Sequence, residues 1–299
     1  MKILITGANG LLGQKLVNLI SSSTEHKLIA TGRGRNRLPE SGNYTYAEMD
    51  ISDRRQVMEV IERFRPDSVI HTAAMTNVDQ CEEEQEACWE MNVNAVRNII
   101  AACKASGAHL VHVSTDFIFD GSRGPLTEEE EPAPVNYYGE SKLAAEKEVI
   151  SSDISWSIAR TVLVFGIAHD MSRSNIILWV KKSLEDGKDI NVVDDQWRTP
   201  TLAEDLAQGC YLLATSKKNG IFNISGKDML TPYDMAVATA EFFELDKSLI
   251  HRTDGTKFKQ KAKRPPRTGF IIDKARKELG YEPHTFPEGL EVLKHQLGS

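Results

Sequence analysis

Short apolar runs alternate with longer amphipathic segments through the first half of the chain. Val-, Ile- and Leu-rich runs are separated in several places by ten or more residues of helical pattern, as at about 11–20 and about 80–104. The runs are KILIT (2–6), KLIAT (27–31), TYAEMD (45–50), DSVIHTAA (67–74), AHLVHVST (108–115) and SWSIARTVLVFG (155–166). This order predicts βαβ units and a parallel sheet. Helices cover both faces of such a sheet, so its strands are nearly all apolar. The fold class is predicted as α/β, a doubly wound parallel sheet.

The pattern loosens after Gly166, where helical and extended segments mix. The predicted segments are a helix near 174–186, an extended piece at 189–196, a helix near 203–214 and an extended piece at 220–225. No repeat and no low-complexity linker divides the chain. We therefore predict a domain over 1–165 and a smaller α/β substrate-binding region over 166–299. Residues 189–225 of that region are expected to return to the first domain.

Composition excludes several classes of protein. The 299 residues are 40% hydrophobic and 26% charged, with a formal net charge of −7. An acidic balance argues against nucleic-acid or anionic-membrane partners, and no apolar run is long enough to span a membrane. The four cysteines form no CxxC pair, so we expect reduced core residues and no metal site. A cytoplasmic protein is predicted.

A glycine-rich loop follows the first strand. ITGANGLLG places Gly7, Gly10 and Gly13 between that strand and the first helix. Glycine allows the sharp turn, the approach of backbone to a pyrophosphate, and the close contact of helix and strand. The N–H groups at the helix start favour phosphate. The loop predicts a dinucleotide site on a Rossmann-like sheet.

The end of the second strand bears on the choice of cofactor. Sites that prefer NAD carry an acidic residue there that bonds the ribose 2′-hydroxyl. This chain has Gly32 followed by Arg33 in ATGRGRNR. An arginine can hold a 2′-phosphate through two hydrogen bonds. We expect NADP(H) to be preferred, with NAD(H) as the alternative.

Several ordered motifs together resemble one family. They are TGANGLLG (6–13), Asp50–Ile51, HTAAMTNVD (71–79), MNVNA (91–95), STDFIFDG (114–121), YYGESK (137–142) and DDQWRTPT (194–201). The chain resembles an extended short-chain dehydrogenase/reductase, and the STDxxFDG and DDQWRTPT blocks are similar to those of the dTDP-4-dehydrorhamnose reductase family. The resemblance covers nearly the whole chain and is strongest before residue 201.

The resemblance implies roles for individual residues. Cofactor binding is implied for Gly7, Asn9, Gly10, Leu11, Leu12, Gly13, Arg33, Asp50, Ile51, Ala73, Ala74, Tyr138 and Lys142. Catalysis is implied for Thr115, Tyr138 and Lys142. Substrate binding is implied for Thr76, Val78, Thr115, Asp116, Asn175, Arg198 and Thr199. A homodimer is a further family expectation.

The chemistry of ketone reduction fits three of these residues. The cofactor delivers the hydride, and a tyrosine can deliver the proton, although its usual pKa of about 10 is high. Tyr138 and Lys142 stand four apart on one helix face, so the ammonium group is expected to lower the pKa of the phenol. Tyr137 is off that face. Thr115 ends a strand, where its hydroxyl could bond the substrate carbonyl. Asp116 could orient substrate or cap the next turn.

The predicted function is NADPH-dependent reduction of the 4-keto group of a nucleotide-linked 6-deoxy sugar, forming dTDP-L-rhamnose or a relative. One alternative is a sugar-nucleotide epimerase or dehydratase on the same scaffold, although no Glu follows Asp116 as a dehydratase would need. A second alternative is a non-catalytic regulatory subunit resembling that of methionine adenosyltransferase. The basic segment 257–267 could meet substrate phosphates or form a solvated loop.

Overall fold

The computed structural model describes residues 1–22, 25–38, 42–169, 175–257 and 260–298. The strands are β1 Lys2–Thr6, β2 Lys27–Gly32, β3 Tyr44–Glu48, β4 Ser68–His71, β5 His109–Thr115, β6 Trp156–Thr161, β7 Val164–Phe165, β8 Ile190–Val193, β9 Thr201–Leu202, β10 Gly220–Asn223 and β11 Ile250–Thr253. The helices are α1 Leu11–Ser21, α2 Arg54–Phe64, α3 Val78–Glu83, α4 Gln85–Trp89, α5 Ala95–Ser106, α6 Tyr137–Ile150, α7 Ile176–Glu185, α8 Ala203–Ser216, α9 Pro232–Phe242, α10 Asp273–Leu279 and α11 Phe286–Leu297. Residue 174 of the predicted helix near 174–186, and residues 258 and 259 of the basic segment, lie outside the described residues.

The central sheet has the strand order β10-β6-β5-β4-β1-β2-β3, and every pairing in it is parallel. The chain runs outward from β1 to β3, and then returns to the other side of β1 with β4. This reversal opens a crevice beyond the carboxyl ends of β1 and β4, where α/β sheets bind ligands. The predicted Rossmann-like fold is confirmed.

Apolar side chains pack on both faces of this sheet. On one face α1 and α8 contribute Leu16 and Cys210 to a core that also holds Phe222 of β10. On the other face α2 and α5 contribute Ile61 and Ile99. Burial on both faces explains why the strands read as continuous apolar runs instead of alternating ones.

The second half forms smaller layers and also rejoins the sheet. β8 pairs with β11, and β7 pairs with β9, while α7 packs on α9. α8 packs on α1, and β10 extends the main sheet next to β6. β8 pairs with β11 outside the main sheet, whereas β9, α8 and β10 contact elements of the first half, and the boundaries 1–165 and 166–299 stay a prediction.

Candidate active site

The glycine loop joins β1 to α1 through close backbone contacts. Gly7 has φ +70°, and a Cβ there would lie 2.9 Å from the nitrogen of Ala73. A Cβ on Gly13 would lie 2.3 Å from the carbonyl oxygen of Gly7. α1 begins after Gly10 with no side chain capping its first turn. Backbone N–H groups at a helix start of this kind form a cradle for a phosphate.

A cavity of about 760 Å³ runs from this loop to the start of α6. It brings together most of the residues implicated by the sequence: Gly7, Asn9, Gly10, Leu11, Leu12, Gly13, Arg33, Asp50, Ile51, Ala73, Ala74, Thr76, Val78, Thr115, Asp116, Tyr138, Lys142 and Asn175. Arg198 and Thr199 are not on its wall. The cavity is long and has the glycine cradle at one end, so its residues fit a dinucleotide.

The contact at Gly13 leads to a prediction. Gly13→Ala should lower the free energy of unfolding by roughly 1–3 kcal/mol, because the added methyl group overpacks the helix against the loop. Gly10→Ala is the matched control, since its Cβ would meet Gly7 only at 3.3 Å. Urea unfolding without cofactor measures both variants. Equal stabilities of the two would contradict the close packing described here.

The loop after β2 is tied to the glycine loop by Asn9. The side chain of Asn9 donates to the carbonyl oxygen of Arg35 at 3.1 Å and accepts from the backbone N–H of Arg37 at 3.0 Å. A Cβ on Gly32 would lie 3.0 Å from the Asn9 amide. A larger residue at Gly32 would therefore disturb this clamp. Arg33 is exposed beside the clamp and lines the cavity.

Asp50 and Ile51 follow β3 and form the opposite lip of this end of the cavity. Asp50 accepts hydrogen bonds from the backbone and hydroxyl of Ser52 at 3.0 and 2.7 Å. Ile51 is only 4% exposed. Asp50 and Ile51 therefore contribute one acidic and one apolar side chain to this wall of the cavity.

The other end of the cavity is built where β5 meets the start of α6. Asn136 caps α6 by accepting from the N–H of Gly139 at 2.8 Å. A Cβ on Gly139 would lie 2.1 Å from the carbonyl oxygen of Phe117, so only glycine lets the helix approach this closely. The approach brings Tyr138 close to Thr115 at the end of β5, and both side chains line the cavity.

Lys142 is buried one helical turn behind Tyr138. Its ammonium group donates to the carbonyl oxygen of Val113 at 2.7 Å and lies 3.4 Å from Nε2 of His112. Burial lowers the pKa of Lys142 to about 8, while Glu146 acts in the opposite direction. Burial also holds the pKa of His112 well below its usual value, so this imidazole is neutral.

The predicted lowering of the Tyr138 pKa is wrong for this structure. Burial raises the pKa of the Tyr138 phenol, and the Asp116 carboxylate raises it further, while the hydrogen bond with Thr115 lowers it. The Lys142 ammonium is turned to Val113 and His112. Desolvation of the phenol is the largest cause of the raised pKa. The phenol therefore carries its proton at neutral pH and can donate it to a ketone oxygen, although a raised pKa makes it a weaker acid.

Asp116 and Arg198 form a buried ion pair behind the cavity wall. Nε of Arg198 lies 3.6 Å from Oδ2 of Asp116, and Arg198 is 3% exposed. Its remaining donors reach the carbonyl oxygens of Trp197 and Pro265 at 2.8 and 2.7 Å. Thr199 is 2% exposed and bonds to Ser225 at 3.2 Å. Neither Arg198 nor Thr199 lines the cavity, and their polar atoms contact protein groups, so substrate binding by these two residues stays a prediction.

Asn175 and the basic segment also make structural contacts. Asn175 caps α7 by accepting from the N–H of Leu178 at 3.1 Å, and donates to the carbonyl oxygen of Gly166 at 2.7 Å. Arg264 makes a two-pronged pair with Asp79 at 2.8 and 3.0 Å. The part of the basic segment that the structure describes is therefore anchored to α3, and Arg264 is not free to meet a phosphate.

One family model covers the whole cavity-bearing chain. The model described as the RmlD substrate binding domain matches residues 1–298. The chain belongs to this family. The prediction of an extended short-chain dehydrogenase/reductase of the dTDP-4-dehydrorhamnose reductase type is thereby confirmed.

Individual relatives of this RmlD-family chain include both reductases and a subunit. It is 30% identical to a probable low-salt glycan biosynthesis reductase of Haloferax volcanii, over 98% of this chain and 97% of the relative. It is 32% identical to methionine adenosyltransferase 2 subunit beta of Rattus norvegicus, over 83% of this chain and 73% of the relative. A solved dTDP-4-dehydrorhamnose reductase of Bacillus anthracis, in complex with NADP, superposes with a TM-score of 0.85, at 28% identity and 99% coverage of both chains.

The RmlD-family cavity includes residues that the motifs did not single out. Phe117 packs edge-on against the ring of Tyr138 at 5.8 Å. Leu163, just beyond β6, is 37% exposed on the cavity wall and has φ +37°. His169 is bound to Gln14 by two hydrogen bonds of 2.8 and 2.9 Å. Their positions after strand ends were the available signal for Phe117 and Leu163. His169 carried none.

The motifs also did not single out Glu48, whose carboxylate lies beside the loop that follows β2. Oε1 of Glu48, at the end of β3, accepts from the backbone N–H of Gly34 at 3.2 Å. The chain from Gly32 to Pro39 carries no acidic residue. The acid comes instead from the neighbouring parallel strand, whose end meets the same sheet edge.

Proposed function

We propose that the protein is an NADPH-dependent reductase of the 4-keto group of a nucleotide-linked 6-deoxy sugar, with dTDP-4-dehydrorhamnose as the leading substrate. The observation that carries this proposal is one continuous cavity with the glycine cradle at one end and Thr115, Tyr138 and Lys142 at the other. The solved reductases of the same family supply the substrate class.

Each residue of the trio has a separate task. The Tyr138 phenol transfers its proton to the ketone oxygen, and the Thr115 hydroxyl donates a hydrogen bond to the same oxygen. Lys142 lies one helical turn from Tyr138 on the cavity wall, and the carbonyl oxygen of Val113 holds its ammonium group in place. The bound nicotinamide supplies the hydride. Burial of Tyr138 and Lys142 excludes water from this end of the cavity, which strengthens these interactions.

Arg33 supports NADPH as the preferred cofactor. It lines the cavity beside Gly32, where NAD-binding sites carry an acid. The Bacillus anthracis reductase was solved in complex with NADP. Glu48 is held by the N–H of Gly34, so the carboxylate is engaged while the guanidinium of Arg33 is exposed. We take NADH to be the weaker alternative.

This leads to a prediction for the cofactor end. Arg33→Ala should raise the Kd for NADPH about 10–100-fold and leave that for NADH nearly unchanged, because only NADPH loses a charge-assisted phosphate contact. Arg35→Ala is the matched control, since Arg35 is on the same loop but not on the cavity wall. Fluorescence titration with each cofactor measures both. A similar weakening for NADH, or in the control, would contradict the role of Arg33.

The overall proposal is tested by NADPH absorbance with dTDP-4-dehydrorhamnose. One NADPH should be consumed for each sugar reduced. An epimerase or dehydratase recycles its cofactor and would show sugar turnover without net NADPH loss. Consumption with other nucleotide 4-keto sugars but not with this one would keep the reductase and change the substrate.

The similarity to methionine adenosyltransferase 2 subunit beta keeps a second candidate in view. Such a subunit would bind cofactor without turnover. The reductase is favoured because Thr115, Tyr138 and Lys142 are all present at one wall, and because the Haloferax volcanii reductase matches nearly the whole chain. Copurification with a stoichiometric enzyme partner, without NADPH consumption, would reverse this preference.

Two further expectations complete the proposal. In the parts of the chain that the structure describes, no helix is both long and apolar enough to cross a membrane. Within the same ranges, no group of three or more His, Cys, Asp or Glu side chains could hold a metal ion. We keep a cytoplasmic location and a homodimer as proposals. Cell fractionation and sedimentation analysis test them.

A further inference from the structure

A buried carboxylate joins the predicted catalytic threonine to the C-terminal half of the chain. Asp116 is 2% exposed. The Thr115 hydroxyl donates to its Oδ1 at 3.2 Å. The Thr268 hydroxyl donates to its Oδ2, and Nε of Arg198 lies 3.6 Å from the same oxygen. The two oxygens of one carboxylate therefore face two different halves of the molecule.

The partners on the Oδ2 side are held rigidly. Thr268 is fully buried, and its backbone N–H donates to the carbonyl oxygen of Trp197 at 3.2 Å. Arg198 donates to the carbonyl oxygens of Pro265 and Pro266 at 2.7 and 3.3 Å. Thr268, Pro265 and Pro266 belong to one segment, the strap of residues 262–268. Arg264 in this strap forms an ion pair with Asp79. The position of the Thr268 hydroxyl is thus fixed by contacts outside the cavity.

The Thr115 hydroxyl has a single proton to donate, and its oxygen contacts more than one neighbouring group. Its oxygen accepts from the N–H of Phe117 at 3.2 Å, and Tyr138 lies on the same cavity wall. In this structure the hydroxyl donates to Asp116. To donate to a ketone oxygen in the cavity, the hydroxyl must turn away from Oδ1. The strength with which Oδ1 holds that proton therefore matters for catalysis.

We propose that Thr268 is a positioning residue, which acts through Asp116 to set the orientation of the Thr115 hydroxyl. Thr268 donates to Oδ2 and so draws negative charge away from Oδ1, and the charge of the nearby Arg198 guanidinium acts in the same direction. Oδ1 then orients the Thr115 hydroxyl without trapping its proton. The effect on turnover rests on the reductase function proposed above, while the coupling of Thr268 to Asp116 does not.

The charged groups around Asp116 define the expected pH dependence. Arg198, which precedes β9, and Tyr138 on α6 both interact electrostatically with Asp116. Arg264 in turn interacts with Arg198. Burial raises the pKa of Asp116, and the contacts with Arg198, Thr268 and Thr115 lower it. Removing the Thr268 hydroxyl should therefore raise this pKa further. Since the carboxylate is the active form, the acid limb of the kcat profile should move to higher pH.

The test compares Thr268→Val with Thr268→Ser. Valine keeps the shape but loses the donor, and should lower kcat about tenfold, leave the Kd for NADPH unchanged and shift the acid limb upward. Serine keeps the donor and should restore both kcat and the position of the acid limb in the pH profile of kcat. Thr268→Ala is the second variant if valine prevents folding, and should show the same shift. A merely structural role would not move the pH limb.

A titration that needs no turnover separates this inference from the proposed function. Carbon NMR of carboxyl-labelled aspartate follows Asp116, and Asp116→Asn identifies its signal. The midpoint should be higher in Thr268→Val than in the native protein, and restored in Thr268→Ser. An unchanged midpoint, an unchanged pH limb, or a serine variant as impaired as valine would each overturn the proposal. Absence of native turnover with a raised midpoint would overturn only the reductase.

Discussion

Tyr138→Phe should lower kcat for ketone reduction by about 10³-fold, within the range that a positioned general acid supplies. The phenol is buried, its pKa is raised by that burial, and it lines the cavity together with Thr115. Phenylalanine keeps the ring against Phe117 but has no proton to give. The Kd for NADPH should change less than about threefold, because the phenol is one contact among many in the cofactor site.

Tyr137→Phe is the matched control for this experiment. Tyr137 is the preceding residue on the same helix and packs against Trp89 at 6.3 Å between ring centres. It is not on the cavity wall. Steady-state kinetics with NADPH should show a nearly native rate for this variant. If Tyr138→Phe kept most of its rate, or if both variants lost activity equally, the assigned proton donor would be wrong.

Glu146→Gln should lower the free energy of unfolding by about 3 kcal/mol. Glu146 and Arg160 form a two-pronged pair at 2.7 and 3.0 Å, with side chains only 1% and 3% exposed. The substitution leaves the guanidinium of Arg160 buried without a counter-charge. Chemical unfolding followed by tryptophan fluorescence measures the loss.

The same helix offers a consequence for the active site. Glu146 raises the pKa of Lys142, which burial alone would set lower. In folded Glu146→Gln, Lys142 should therefore lose its proton at a lower pH than in the native protein.

The exposed pair Arg55–Glu59, 86% and 61% exposed, provides the control for the loss of stability. Glu59→Gln should lower the free energy of unfolding by no more than about 1 kcal/mol. Equal losses from the two substitutions would contradict the stabilising role of the buried pair.

Local patterns were sufficient to predict the sheet and the cofactor loop. The apolar run before Gly7 and the helix after Gly13 are adjacent in sequence, so their packing follows from spacing. Tyr138 and Lys142 share a helix face for the same reason. The segment from about 80 to 104 shows the limit of such patterns. It was predicted as one helix, but it breaks at Glu84 and passes through a π-helical turn at Glu90–Asn94.

Contacts between distant parts of the chain could not be predicted in this way. Asp116 and Arg198 are 82 residues apart in the chain and meet only in the folded protein. The sequence could therefore not show that Arg198 forms a buried ion pair with Asp116. The Tyr138 pKa depends on how completely the phenol is desolvated. Periodicity does not measure burial of a single side chain. Both features concern the environment of a residue that the motifs singled out.

The most direct test of the account follows the hydride itself. The protein is given dTDP-4-dehydrorhamnose and NADPH that carries deuterium on the transferred position of its nicotinamide, and the product is examined by mass spectrometry and NMR. We predict one deuterium on C4 of the sugar, with equal amounts of NADP⁺ and reduced sugar. Product without deuterium, or tightly bound NADPH that is never oxidised, would contradict the reductase assignment.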